Sequence, residues 1–220
     1  GEFMKPRHDR LKAMYNVESR AGEIAGVPAV WMKPVAGVPA ANRRKLLLNL
    51  PGGGFVMGTA NGTGMVESIP LAGLAGVEIV SITYRQSPEF TYPAASEDVV
   101  KVWRELLKTH RAQDMAIFGC SAGGLLTPEA LAAFDKEGLP LPKAIGIFCA
   151  SADARWGGDS RAFGRPFQAL PPRDGGRGYF DGADMNDPLV SPIVSPALLR
   201  KFPPALIITA TRAMEMSAAV

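Results

Sequence analysis

Ser121 stands in the run Gly119-Cys120-Ser121-Ala122-Gly123-Gly124, directly after an apolar stretch and directly before a helical pattern. A strand that turns this abruptly into a helix leaves little room for side chains beside the turning residue, which is why glycines flank it. The serine would carry its Oγ clear of the backbone, where a base could make it a nucleophile toward a carbonyl carbon. With 24 glycines in 220 residues the pentapeptide alone is a weak signal. Its weight comes from a second run, Pro51-Gly52-Gly53-Gly54-Phe55, which follows the first core strand. Bare amides there can point at a developing oxyanion, and each such donor typically contributes about 3 kcal/mol in the transition state. An ordinary glycine-rich turn is the competing reading. The order, loop first and elbow second, is the one that acyl-transfer chemistry on this kind of strand-helix scaffold requires.

A serine nucleophile needs a base, and the base needs an orienting acid. The chain has two histidines, His8 and His110. His110 ends the helix ahead of the elbow strand and so belongs at the start of that strand, while Ser121 lies past its far end. Five or six residues at about 3.3 Å each put them roughly 20 Å apart. The expected role of His110 is an interaction with the helix dipole. His8 lies in a charged terminal segment expected to be mobile. For the acid, Asp153 falls just beyond the fourth core strand, at the same end of the sheet as the elbow, whereas Asp187 precedes Pro188 and reads as a turn residue.

The elements that must position these residues are legible as short apolar runs. Val27 to Trp31 reads as an early strand, followed by Lys45 to Leu50, Val77 to Tyr84, Met115 to Gly119, Ala144 to Ala150 and Ala205 to Ala210. The last five are apolar on both faces, as strands covered by helices on each side should be. Ser96 is placed to cap a helix whose stripe is Val99, Val100, Val102, Trp103, Leu106 and Leu107. Strand-helix alternation of this kind argues for a parallel sheet. Residues 153–186 break the rhythm with Gly, Arg and aromatic residues and read as an insertion over the sheet. The expected organisation is a remnant at 1–26, comprising a tag and part of a cap, and one α/β domain at 27–220.

Composition narrows the classes. A 47% hydrophobic content over 220 residues suffices for one sizeable core. The 24 basic and 21 acidic side chains are interspersed, so the sequence implies no nucleic-acid partner. Cys120 and Cys149 lie inside apolar stretches, at neither disulfide-framework nor metal-ligand spacings, and no metal is expected. No apolar run reaches about 18 residues, so no membrane partner is expected. Gly1-Glu2-Phe3 ahead of Met4 reads as a vector-derived scar without a secretion signal, which makes a cytoplasmic location the default.

The loop Pro51 to Phe55, the stretch Thr83-Tyr84-Arg85-Gln86-Ser87-Pro88-Glu89 with Tyr92-Pro93-Ala94-Ala95, the elbow at Ser121, and Asp187-Pro188-Leu189-Val190-Ser191-Pro192 occur in this order. Together they resemble the hormone-sensitive-lipase-like family of bacterial esterases over roughly residues 27–215. The resemblance implies an α/β-hydrolase fold, with a mostly parallel sheet, helices on both faces and a small cap. It implies a carboxylic-ester hydrolase with Ser121 as nucleophile, an oxyanion hole from the amides of Gly53, Gly54 and Ala122, and no metal or organic cofactor. The substrate class would be small-molecule esters, of short acyl chain, and a homodimer is compatible with it. Trp156, Phe163, Phe167 and Phe180 would line the pocket or pack its roof.

Three departures from the family stand out. Pro51 replaces the usual histidine before the glycines and removes a side-chain hydrogen bond expected to brace the loop. Cys120 stands where Asp or Thr is commoner. Phe202 to Arg212 resembles the strand that delivers the catalytic aspartate, yet the next residue is Ala213, which marks the triad-acid position; Asp153 and Glu215 are the substitutes to consider. In the family the catalytic histidine follows one further strand, so a C-terminal part is expected to be missing, leaving Ala205 to Ala210 as an exposed edge. As printed, the chain is expected to be inactive or nearly so. The competing readings are a ligand-binding pseudo-hydrolase, since plant gibberellin receptors resemble the same family and lack the histidine, and a non-functional fragment.

Overall fold

Alternate side chains of the central strands enter two separate apolar layers, and that two-sided burial makes the sheet the middle of the molecule. On β4 (Glu78–Ile82), Ile79 packs into one layer with Met65, Ile69 and Ala72, while Val80 and Ile82 pack into the other with Val99, Trp103, Leu125 and Phe134. The computed structural model describes residues 2–155, 157–160, 178–211, 213 and 216–220. Within them one seven-stranded sheet runs β1 (Val17–Ile24), β2 (Val27–Pro34), β4, β3 (Leu46–Leu50), β5 (Met115–Cys120), β6 (Ala144–Phe148), β7 (Ala205–Ile208). Strands β3 to β7 are mutually parallel, and β1 and β2 are antiparallel additions at one edge. This is an α/β-hydrolase fold with a mostly parallel sheet.

The five core strands expected from sequence are all present, four of them slightly shorter than their apolar runs and β5 one residue longer. The sheet, however, begins earlier than residue 27. Val17–Ile24 is a strand paired along its whole length with β2, joined through Ala25 and Gly26, both at positive φ (51° and 78°). Two such residues suit the right-handed twist of a tight hairpin. The strand escaped the sequence reading because only its two end residues, Val17 and Ile24, are buried, so it shows no alternation. The 1–26 segment therefore contributes a full strand to the main sheet. Nor is its beginning loose: α1 (Lys5–Tyr15) lies against α2 (Met65–Ala75), where Gly73 is needed because a Cβ would sit 2.5 Å from Tyr15 O. His8, expected to be mobile, is 5% exposed.

On the opposite face α3 (Ala94–Leu106) and α4 (Ala122–Lys136) pack together, with Trp103 stacked on Phe134 at 5.2 Å and its indole N–H donating to Pro140 O. The apolar stripe of α3 is the expected one. Its start is not: the helix begins at Ala94, without a side-chain cap, and Ser96 sits buried inside it, its hydroxyl 3.4 Å from Glu129 Oε2. Strand β7 closes the sheet as an edge with Leu206, Ile207 and Ile208 all exposed. Among the described residues no helix is long and apolar enough to cross a membrane.

Glu129 is fully buried in the α3–α4 layer, and its Oε1 has no hydrogen-bond partner among the described residues. Burial pushes its pKa well above the ordinary carboxylate range, with the Ser96 hydroxyl opposing. The unfolded chain ionises this group at ordinary carboxylate pH while the folded protein keeps the proton. Stability is therefore full below that range and falls as pH rises, by about 1.4 kcal/mol per unit for one proton, until the folded group also ionises. Urea unfolding from acidic to mildly alkaline pH should show Glu129→Gln to be more stable than the parent at high pH, with the difference shrinking toward acid. A pH-independent difference would refute this protonation state.

Candidate active site

Ser121 joins β5 to α4 at φ 53°, ψ −119°, a conformation that side chains other than glycine rarely adopt. Its N–H donates to Phe148 O of β6 at 2.8 Å, which ties the turn to the neighbouring strand. The glycines around it are required by contact. A Cβ on Gly123 would lie 1.7 Å from Leu50 O, and one on Gly119 would lie 2.3 Å from the Gly123 backbone. The first turn of α4 thus rests directly on the end of β3. Gly124 similarly faces Ala150, at 2.8 Å from its Cβ. The same contact brings the chain leaving β3 beside the serine, since a Cβ on Gly52 would lie 2.7 Å from Cys120 O.

In the loop after β3, two consecutive peptide planes are held by their carbonyls. Thr63 Oγ1 donates to Gly52 O at 2.6 Å, and the amides of Val56 and Met57 both donate to Gly53 O at 3.1 Å. In a trans peptide the N–H points opposite to the C=O. Fixing the Gly52 and Gly53 carbonyls therefore aims the Gly53 and Gly54 N–H groups the other way, and neither donates to a described residue. Ala122 opens α4, so its N–H is one of the unpaired donors of a helix N-terminus. The resulting set is a strained serine hydroxyl with three uncommitted backbone donors on the two segments that pack against each other. Chemically, it can bind an anion and stabilise charge developing on an oxygen.

The loop is held on all sides. Gln86 exchanges two hydrogen bonds with the Gly58 peptide, at 2.9 and 2.6 Å, and Ser87 donates to Phe55 O through both its N–H and its hydroxyl. Phe55, at φ 58°, stacks flat on Tyr179 (4.4 Å between centroids, 5° apart) and meets Phe180 edge-on. Tyr179 is fixed in turn by accepting from Ala95 N–H at 2.8 Å and by its carbonyl accepting from Tyr92 N–H at 2.7 Å. Phe180 therefore packs inside the aromatic layer. Trp156, Phe163 and Phe167 lie outside the described residues.

The remaining sequence candidates separate clearly. Ala213 follows β7, its N–H donating to Ala210 O at 2.9 Å. The ends of β5, β6 and β7 are linked by Ser121 N–H to Phe148 O and by Cys149 N–H to Ile208 O. Ala213 thus stands at the elbow's end of the sheet, two strands from it, or about 10 Å sideways. Asp153 is on the same side, but Arg155 takes it up: Nε and the backbone N–H bind Oδ1 at 2.8 and 2.9 Å, and Nη2 binds Oδ2 at 3.1 Å. Burial raises its pKa, and the stronger combined pull of Arg155 leaves it lowered. Asp187 forms a turn, with Oδ1 accepting from Leu189 N–H. Glu215 lies outside the described residues. His8 Nε2 is 3.0 Å from Gly62 O and so carries the proton there. His110 lies beside Leu46 and Glu78, the first residues of β3 and β4, at the far end of the sheet from Ser121.

Sequence reasoning missed three residues that hold the loop: Asn49, Thr63 and Glu67. Asn49 was detectable as the one polar residue in the apolar run Leu46-Leu47-Leu48-Asn49-Leu50. The other two lie on the segment 60–75, for which no helix was anticipated. Among the described residues no group of three or more His, Cys, Asp or Glu side chains converges as metal ligands would.

The profile of a family described as alpha/beta hydrolase fold matches residues 47–219. An acetyl-hydrolase of Streptomyces hygroscopicus is 30% identical over 209 residues, covering 91% of this chain and 67% of its own length. The crystal structure of an esterase superposes with a TM-score of 0.85 at 34% identity, over 97% of this chain and 66% of that one. An esterase from the bacterial hormone-sensitive lipase family superposes with a TM-score of 0.80 at 27% identity, over 97% and 72%. The chain thus spans about two thirds of the length of these relatives.

The contact at Gly123 and the freedom at Gly54 predict opposite outcomes for one added methyl. Gly123→Ala drives a Cβ into Leu50 O and should destabilise the fold by about 3 kcal/mol or more, the upper end for overpacking. Gly54→Ala meets nothing within 4 Å at φ +65° and should cost only the about 1–2 kcal/mol of a left-handed alanine. Urea unfolding of the two variants checks the order; equal losses would contradict it.

Proposed function

The chain belongs to the hormone-sensitive-lipase-like esterases of the alpha/beta hydrolase fold family, and from that membership we propose that Ser121 is the nucleophile of a carboxylic-ester hydrolase acting on small-molecule esters of short acyl chain. Its Oγ attacks the ester carbonyl carbon, forming a C–O bond while the carbonyl oxygen becomes an oxyanion held by the N–H groups of Gly53, Gly54 and Ala122. Collapse of that intermediate expels the alcohol and leaves an acyl-serine, which water then hydrolyses. The carrying observation is the strained serine packed against a loop whose consecutive carbonyls are pinned away from two free amides.

The proton leaving Ser121 Oγ needs a base, and neither histidine of the chain is placed to take it. His8 is engaged with Gly62 O, and His110 is at the other end of the sheet. We read Ala213 as occupying the triad-acid position, where a carboxylate would orient an imidazole and stabilise its cation; a methyl group does neither. We read Tyr179 and Phe180, which pack on the loop through Phe55, as part of a roof over the ester site.

The 220-residue chain should react slowly with a fluorophosphonate probe, because an unassisted serine hydroxyl is a weak nucleophile. Rapid stoichiometric labelling at Ser121 would show that an acid-base pair is present after all. In the full-length gene product, Ala213→Asp should raise turnover of acetate and butyrate esters by up to about 10⁴-fold, the scale of losing the orienting acid in a serine hydrolase, and long acyl chains should be poorer substrates. Equal rates for the alanine and aspartate forms would place the acid elsewhere, with Asp153 the first residue to test.

A further inference from the structure

The peptide that joins Pro51 to Gly52 is gripped at both ends. Tyr84 Oη donates to Pro51 O at 2.5 Å, and Gly52 N–H donates to Glu67 Oε1 at 2.9 Å. The second oxygen of Glu67 accepts from Asn49 Nδ2 at 2.8 Å. The orientation of Asn49 is set in turn by Ser81 Oγ, which donates to its Oδ1 at 2.6 Å. Asn49 and Ser81 are fully buried, and Gly64 makes room for them, since a Cβ there would lie 2.1 Å from Ser81 Oγ. The relay Ser81–Asn49–Glu67–Gly52 thus runs from two strands of the sheet, through a helix side chain, to the glycine that precedes the two free amides.

Proline at position 51 has no side-chain donor or acceptor with which to brace this loop. A half-buried carboxylate supplies the bond instead, with both oxygens committed to the strand end and the loop. Burial raises the pKa of Glu67, and the bonds from Asn49 and Gly52 act against that rise. We propose that Glu67 is a positioning residue for the oxyanion-binding amides: it fixes the Pro51–Gly52 peptide, and with Thr63 on the next carbonyl it sets the direction in which Gly53 and Gly54 present their N–H groups. The inference rests on reading those amides, with Ala122, as the oxyanion hole.

The test needs no turnover. In the ¹⁵N-labelled chain, hydrogen exchange of the Gly52 amide, whose N–H is bonded to Glu67, reports how firmly the loop is held, and titration with acetate reports whether Gly53, Gly54 and Ala122 bind a carboxylate oxygen. Glu67→Ala should speed exchange at Gly52, whose N–H loses its acceptor, by about tenfold or more and weaken the acetate response by a similar factor. Glu67→Gln should stay within about threefold of the parent, because its oxygen can accept from Gly52 while Asn49 turns to accept from its amide and Ser81 accepts from Asn49. Unchanged exchange and acetate response in Glu67→Ala would overturn the proposal. So would a glutamine variant as loose as the alanine one, since an acceptor at Gly52 N–H would then not be what holds the loop. Loss of far-ultraviolet circular dichroism in both variants would assign Glu67 to the fold itself and also overturn it. If acetate shifts none of these amides in the unaltered chain, the oxyanion reading fails and the proposal falls with it; the exchange data, which do not depend on that reading, tell this failure apart from the others.

Discussion

The contact between Gly123 and Leu50 O is the constraint on which the arrangement depends. A backbone from the first turn of a helix lies against the last carbonyl of a neighbouring strand with no space for a single carbon atom between them. Such an approach is open only to glycine. It fixes how far α4 can stand from β3, and with that the separation between the serine at the head of α4 and the loop leaving β3. Both halves of the site inherit their relative position from this one clearance. The tie from Ser121 N–H to Phe148 O then fixes the turn against β6.

Positioning the loop is a separate task, and side chains from outside it perform most of it. Tyr84, Gln86 and Ser87 come from the stretch after β4, Thr63 and Glu67 from the segment before and within α2, and Tyr179 from the stretch between β6 and β7. Tyr84 and Glu67 hold the two ends of one peptide, and the others each hold a different part of residues 51–58. His8, through Gly62 O, extends the support to the N-terminal helix. A glycine-rich loop would otherwise lose more conformational entropy on ordering than any other composition of the same length. Here hydrogen bonds and one stacked ring offset that loss.

Fold class and elbow were legible in the sequence because they rest on local patterns: apolar runs of strand length, and glycines where two backbones touch. Strand β1 was not, since a hairpin edge with only two buried residues carries no periodic signal. The helix 65–75 was passed over because Pro70 and Gly73 interrupt it; Gly73 serves contact with Tyr15, and neither residue stops the helix. Ser96 had the chemistry of a cap, yet its place was decided by the docking of α3 on α4, which carries it into the interior. The support of the loop at residues 51–58 was the least visible part. Asn49 and Glu67 lie 18 positions apart and meet only after the sheet and α2 have assembled. Pro51, which from sequence alone removes a brace, proves to sit in a peptide held more fully than its neighbours.

The flat stacking of Phe55 on Tyr179 has an evolutionary consequence. Surface segments are where relatives that share a fold diverge most, since loops tolerate change better than the sheet beneath them. In this chain the segment carrying Tyr179 and Phe180 also seats a ring of the loop next to the free amides. Exchanging Tyr179 and Phe180 for other residues would therefore also alter how the backbone at residues 53 and 54 is held. A change in one surface stretch is in this way tied to the alignment of two amides that it does not itself contain.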